Sequence, residues 1–120
     1  MKYSDIKNAL LLIEDPVEKL EMVMDFGKSL ESVPDGATCN EIFGCASFVQ
    51  ICAKDGKFYG RADSSMVRGI VAIILAIVDG KTIQEIKEMD LAGEFASLNL
   101  NFGAGRLNGI QSMISFFKNL

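Results

Sequence analysis

The chain has 120 residues, of which 49% are hydrophobic and 23% charged, with a formal net charge of -4 and no histidine. This length suits one domain, residues 1–120, with a sizeable core. Scattered lysines and arginines do not form the basic surface that nucleic-acid binding requires. The most apolar run, residues 69–78, is about half of the roughly 20 residues that a membrane span needs, and the amino terminus lacks the features of a secretory signal. We therefore predict a cytoplasmic protein that binds neither nucleic acid nor membrane.

Two short helices are predicted at the start of the chain. Ser4 can cap the first of them, in which apolar residues recur at helical spacing. Asp15-Pro16 begins the second, because aspartate is a good cap and proline suits the first helical position. The turn-forming residues that are frequent from position 32 to 40 then predict a loop.

Three strands are predicted next. Residues 41–43 and 47–53 are compatible with strands, and they flank Gly44-Cys45. Asp55-Gly56 is a strong hairpin signal before a third strand at residues 57–62. The sequence therefore predicts a small antiparallel three-stranded sheet, with Cys45 near the joint between its first two strands.

Helices return in the second half of the chain. Asp63-Ser64-Ser65 offers caps for a helix that runs to about residue 78 and ends at Gly80. Thr82 and Glu85 form the capping box of a short helix. A brief segment around residues 91–98, a glycine-containing loop and a last helix over about residues 106–118 follow. Helices, a sheet and further helices in this order predict an α+β fold with the helices packed on one face of the sheet.

The reactive groups of the chain are three cysteines, Cys39, Cys45 and Cys52. An odd number of cysteines without an export signal predicts reduced thiols. Gly44 permits a backbone turn, so Cys45 is predicted to lie at an accessible tip, with packing as a small buried hydrophobe as the alternative. Without histidine, Cys45 lacks the usual general base of cysteine hydrolases. Sulfur transfer fits better, because attack of a thiolate on a persulfide needs access and a suitable thiol pKa.

The other two cysteines leave several alternatives open. Three thiolates at Cys39, Cys45 and Cys52, with Asp63 as an oxygen ligand, could hold zinc or an iron-sulfur cluster, although their spacing matches no standard pairing. Cys52 lies in an apolar strand, which indicates core packing, whereas Cys39 in the predicted loop could form a disulfide with Cys45. A third alternative is an interaction module in which Cys45 only packs.

Two charged residues are further candidates. Arg106 lies where a helix is predicted to begin. The helix dipole disfavours a cation at that end, which indicates a specific partner, with an ordinary solvated arginine as the alternative. Asp63 is well explained as a helix cap or turn residue, and this structural role is the favoured interpretation.

Three segments resemble motifs of the SufE family of sulfur acceptors, and they occur in the family's order. Gly44-Cys45-Ala46-Ser47-Phe48-Val49 resembles Gly-Cys-x-Ser-x-Val. The segment Asp63-Ser64-Ser65-Met66-Val67-Arg68-Gly69-Ile70 resembles the Asp-Ser-x-x-x-Val-x-Gly start of a helix. Arg106-Leu107-Asn108-Gly109-Ile110 is similar to Arg-x-Asn-Gly-Leu.

The chain departs from the family pattern at several positions. Gln50 stands where tryptophan is usual, Gly105 replaces a serine and Leu107 replaces a small polar residue. Cys39 and Cys52 are additional thiols.

The resemblance implies the α+β fold shared with the IscU and NifU scaffold proteins. It implies an accessory protein rather than a stand-alone enzyme, one that takes persulfide sulfur from a SufS-type cysteine desulfurase and enhances its activity. The sulfur would go to an iron-sulfur scaffold complex of the SufBCD type. Cys45 would carry the persulfide, with Arg106 and Asp63 in supporting roles. No cofactor would be bound here, because pyridoxal phosphate resides on the desulfurase.

Persulfides are easily lost to water and oxidants. We therefore expect the Cys45 loop to rest against apolar surface in the free protein and to swing out when a partner docks.

Overall fold

The computed structural model describes residues 2–120, which form six helices and one three-stranded sheet. The predicted α+β fold with an antiparallel sheet is confirmed, with strand order β1-β2-β3. In chain order the elements are α1 Tyr3–Leu12, α2 Pro16–Gly27, β1 Thr38–Glu41, β2 Val49–Lys54, β3 Lys57–Ala62, α3 Ser65–Val78, α4 Ile83–Glu88, α5 Leu91–Ala96 and α6 Ala104–Lys118. Among the residues described, no helix is long and apolar enough to cross a membrane.

Side-chain caps begin most of the helices that the sequence predicts. Asp15 accepts a hydrogen bond from the Val17 backbone N–H ahead of α2, and Thr82 with Glu85 forms the predicted capping box of α4. Ser64 caps α3 by accepting from the Val67 backbone N–H. These local signals explain why the boundaries of the helices were readable from the sequence.

The cap predicted for α1 is wrong. Ser4 lies inside the helix, which begins at Tyr3 after Lys2 and has no side-chain cap. The Tyr3 hydroxyl donates a hydrogen bond to the Glu94 carboxylate on α5. This tertiary contact holds Tyr3 in place, and the helix begins two residues before the start that a Ser4 cap would set.

The helices that contact the sheet lie on one of its faces, as predicted. Phe58 on β3 packs edge to face on Phe117 of α6, with ring centroids 5.1 Å apart. Gly60, two residues further along β3, lies directly beneath Val71 of α3. Because side chains alternate along a strand, Phe58 and Gly60 face the same way. The core lies between this face and the helices, and most of α3 is buried in it.

The first strand, β1, begins and ends at other residues than predicted. This strand covers Thr38–Glu41, where the sequence predicted a loop up to residue 40 and a strand at 41–43. Antiparallel pairing with β2 places Cys39 directly opposite Cys52, and their Cα atoms are 4.0 Å apart. Long-range pairing with β2 therefore overrides the turn-forming composition of this segment.

Cys39 and Cys52 are joined in a disulfide on the sheet face that points away from α3 and α6. The prediction of three reduced thiols is therefore wrong, and so is the alternative that Cys39 pairs with Cys45. The physical reason is the register, because β1 reaches Cys39 and sets it against Cys52. Cys52 is completely buried, but it lies in this disulfide on the face opposite the core, so the core packing predicted for it is wrong.

Candidate functional site

The candidate site is built on the loop of residues 42–48, which joins β1 to β2 and carries Cys45. Both ends of the loop are fixed by backbone hydrogen bonds. The Ile42 N–H donates to the Val49 carbonyl at 2.8 Å, and the Asp63 N–H donates to the Phe48 carbonyl at 3.3 Å. Between them Gly44 adopts a φ of 95°, a conformation that favours glycine. The turn directs Cys45 towards α6.

Cys45 rests on α6 in the free protein rather than at an exposed tip. Its thiol is half-buried, and its Sγ lies 3.8 Å from the Gly109 carbonyl oxygen, to which it donates a weak hydrogen bond. The accessible tip predicted from Gly44 is therefore wrong for this state, because the turn at Gly44 folds the loop inward onto the helix. The expectation that the loop rests against the body of the protein agrees with the structure.

A largely apolar cavity of about 220 Å³ lies beside the Cys45 thiol. Its walls come from three segments that are far apart in the chain, and they are the segments that carry the motifs described above. The lining residues are Cys45, Ala46, Ser47, Ser64, Val67, Ile70, Gly105, Arg106, Gly109, Ile110 and Met113. The fold therefore brings the three motifs together around one sulfur atom.

Burial controls the protonation of the site. Removal from water raises the pKa of the Cys45 thiol above its ordinary value, because an apolar environment disfavours the thiolate. The resting thiol is therefore mostly protonated near neutral pH, and a neutral thiol is a poor nucleophile.

Arg106 and Asp63 are placed differently with respect to the thiol. Arg106 lies in the first turn of α6, is exposed and lines the cavity beside Cys45. Asp63 is also exposed, but it lines a separate depression with Arg61 and Arg68. The cap that the sequence allowed for Asp63 is made by Ser64 instead. The structure thus brings Arg106 to the cavity and does not bring Asp63 there.

The three cysteines do not assemble a metal site. Cys39 and Cys52 are oxidised to a disulfide on the sheet, so neither offers a thiolate ligand, while Cys45 faces α6. Within residues 2–120 no group of three or more cysteine and carboxylate side chains could hold a metal ion. The alternative of a zinc or cluster scaffold built on these thiols is therefore contradicted by the geometry.

Several residues around the cavity were not singled out from the sequence. Ser112 lies beneath the Gly44 turn and donates a hydrogen bond to the Asn108 carbonyl. Ser64 and Met113 form part of the cavity wall. The available signal was helical spacing, since positions 109, 112 and 113 lie on one face of α6.

Gln50 does not line the cavity. Its side-chain oxygen accepts a hydrogen bond from the Arg61 guanidinium across β2 and β3, at 3.0 Å. Gln50, which replaces the usual tryptophan, therefore lies on the face of the sheet that points away from the core.

Comparisons with known proteins agree with this geometry. An uncharacterized SufE-like protein of Rhizobium meliloti (strain 1021) is 34% identical over 113 residues, covering 84% of this chain and 81% of the relative. The sulfur acceptor protein CsdE of Escherichia coli (strain K12) is 29% identical over 117 residues, covering 90% of this chain and 80% of its own length. A solution structure of a hypothetical protein from Thermus thermophilus has the same fold, with a TM-score of 0.69, 17% identity, and coverage of 99% of this chain and 94% of that one.

A family model also matches almost the whole chain. Residues 4–120 match the family model described as SufE, Fe-S metabolism associated domain. The match includes the loop of Cys45, the start of α3 and the first turns of α6. The chain therefore belongs to the SufE family.

Proposed function

We propose that the protein accepts sulfur onto Cys45 from the persulfide of a SufS-type cysteine desulfurase and passes it on for iron-sulfur cluster assembly. The observation that carries the proposal is a single free thiol beside an apolar cavity whose walls are formed by three distant motif segments. Membership of the SufE family and the likeness to a protein named as a sulfur acceptor support it.

The transfer itself requires little from the acceptor. The Cys45 thiolate attacks the terminal sulfur of the donor's persulfide, and a new S–S bond forms at Cys45. The S–S bond of the donor breaks, its cysteine leaves as a thiolate and takes up a proton, and no net oxidation occurs. A chain without histidine can therefore perform this step, since no proton shuttle is needed.

The cavity suits the storage of the product. Its volume of about 220 Å³ leaves room next to Cys45 Sγ for one more sulfur atom. Its largely apolar lining would limit the contact of a persulfide held there with water and oxidants. Because the resting thiol is half-buried and its pKa is raised, the loop must open before the thiolate can react.

Arg106 is proposed as a supporting residue at the rim of the cavity. A persulfide is anionic near neutral pH, and an exposed guanidinium beside it favours the charged form. The same cation is available for an acidic group of the partner. Asp63 lies outside the cavity lining, and any role for it would be on the docking surface.

The wider setting follows from the same proposal. The desulfurase keeps its pyridoxal phosphate, so this chain binds no cofactor of its own. Removal of the persulfide enhances the activity of the desulfurase, and the sulfur then passes to a scaffold complex of the SufBCD type. The cytoplasm is the proposed location of these steps.

The test is incubation with a cysteine desulfurase and free cysteine, without reductant, followed by intact mass measurement and peptide mapping. We expect the mass of one added sulfur atom on the peptide that contains Cys45. Cys45→Ser should abolish the label while the fold, followed by circular dichroism, is retained. Equal labelling of the Ser variant would sink the proposal.

A further inference from the structure

The contact between the Cys45 loop and α6 depends on a glycine in the helix. A Cβ atom built at Gly109 would lie 3.1 Å from Cys45 Sγ, 3.4 Å from its Cα and 3.5 Å from its Cβ. All three neighbours belong to Cys45. The Gly109 carbonyl also accepts the hydrogen bond from the thiol. The loop therefore lies on the bare backbone of the helix at this position.

Glycine is a poor choice for the interior of a helix, because it lowers helix stability relative to alanine. Gly109 is buried within α6, so its presence is not explained by helix formation. Gly105 in the same helix provides a comparison, since a Cβ atom there would meet nothing within 4 Å. Of these two glycines of α6, only Gly109 makes room for another part of the molecule by its missing side chain.

We propose that Gly109 is a positioning residue that allows the Cys45 loop to close on α6, and that any side chain at this position shifts the loop to an open state with an exposed thiol. This inference deepens the proposed function, on which it rests, by naming what holds the acceptor thiol at rest. Gly109 acts through Cys45 and takes no part in bond formation.

The closed and open loops form an equilibrium before any reaction. A small alkylating agent reaches the half-buried Cys45 thiol more readily in the open state, so its rate rises with the open fraction. An alanine at position 109 crowds the closed state and leaves the open state unaffected. The rate of alkylation should therefore rise without any partner present.

The experiment measures alkylation of Cys45 by iodoacetamide in the free protein, followed by intact mass. Gly109→Ala should react about fivefold faster or more, which is the range expected for overpacking a close contact. Ser115→Ala is the matched control, because Ser115 is an exposed residue of the same helix outside the cavity lining, and its rate should equal that of the natural chain. Both variants gain helix propensity, so a difference between them cannot come from a weakened helix.

The pH dependence of the alkylation rate is a second measurement, and it should change only if the substitution exposes the Cys45 thiol. An opened loop exposes the thiol to water, so the profile of Gly109→Ala should shift to lower pH, while that of Ser115→Ala should not. An unchanged rate and profile in Gly109→Ala, or equal changes in both variants, would overturn the proposal.

A second variant approaches the same contact from the loop. A Cβ atom at Gly44 would lie 2.5 Å from Ser112 Oγ, so Gly44→Ala should also accelerate alkylation while α6 keeps its own sequence. If Gly109→Ala fails to fold, the rate of Gly44→Ala decides, and an unchanged rate contradicts the closed contact.

Failure of this inference is distinguishable from failure of the proposed function. The alkylation assay contains no desulfurase, and the sulfur-labelling assay uses the natural chain. Unchanged alkylation in Gly109→Ala together with normal labelling of Cys45 rejects the role of Gly109 alone. Faster alkylation together with no labelling rejects sulfur acceptance alone.

Discussion

The sulfur atoms of this chain's cysteines occupy two regions with opposite properties. Cys39 and Cys52 lie on adjacent strands at directly opposed positions and are bonded to each other. Cys45 lies in the loop between those strands, is free, and faces the backbone of a helix beside a cavity. The difference teaches that neighbouring structure decides the chemistry of each cysteine. Strand register creates the bonded pair, and the inward fold of the loop sets the third thiol against the backbone of α6.

The largest effect should come from removing the bonded pair. The disulfide spans 13 residues, and closing a loop of this size contributes about 3 kcal/mol in the chain-entropy description. We expect Cys39→Ala combined with Cys52→Ala to lower the free energy of unfolding by about that amount in urea denaturation. Cys45→Ala is the matched control, because it removes a thiol that closes no loop.

Thiol counting sharpens the same prediction. The natural chain in its native state should react with a thiol reagent at one cysteine per molecule, and at three after reduction. Three reactive thiols before reduction would contradict the pairing of Cys39 with Cys52 and would reopen the metal-site alternative.

A smaller effect is expected at the rim of the cavity. Arg106→Ala should slow the desulfurase-dependent labelling of Cys45 by about fivefold, comparable to the loss of one exposed charge contact. Arg106→Lys keeps the charge and should recover most of the rate. Stability should be unchanged in both variants, because Arg106 is exposed. Equal loss in both variants would indicate that the shape of the guanidinium matters rather than its charge.

The smallest effect concerns the pH dependence of stability. The pKa of the Cys45 thiol is raised in the folded state. The contribution of this thiol to the free energy of unfolding is therefore fully present below the ordinary thiol pKa of 9.0, and it is lost as pH rises through the folded-state pKa. The natural chain should therefore lose stability above pH 9.0 more steeply than Cys45→Ser in denaturation curves. The pKa of Tyr3 is also raised, by burial and by Glu94, but both proteins share this residue and the difference between them isolates Cys45.

Features that depend on local signals were predictable from the sequence. The Asp15-Pro16 start of α2, the capping box at Thr82 and the Asp55-Gly56 hairpin are all found where their residues indicate. The grouping of Cys45 with Arg106 followed from the resemblance to a family, and the structure places both residues on one cavity.

Features that depend on long-range contacts were not predictable from one sequence. The disulfide requires the register between β1 and β2, and a shift of one residue would turn Cys39 to the other face. The residue that Cys45 contacts, Gly109, is 64 residues away along the chain. No local pattern around Gly44 contains that information.

The disulfide also limits how far the acceptor sulfur can travel. The disulfide between Cys39 and Cys52 closes a loop of the chain that contains Cys45. Within this loop, the hydrogen bond between Ile42 and Val49 fixes the backbone three residues before Cys45. Fully extended, three residues span about 10 Å. If the loop swings outward, Cys45 can therefore move only this short distance from Ile42. In the proposed transfer, a sulfur donor would therefore have to bring its persulfide to within about that distance of Ile42.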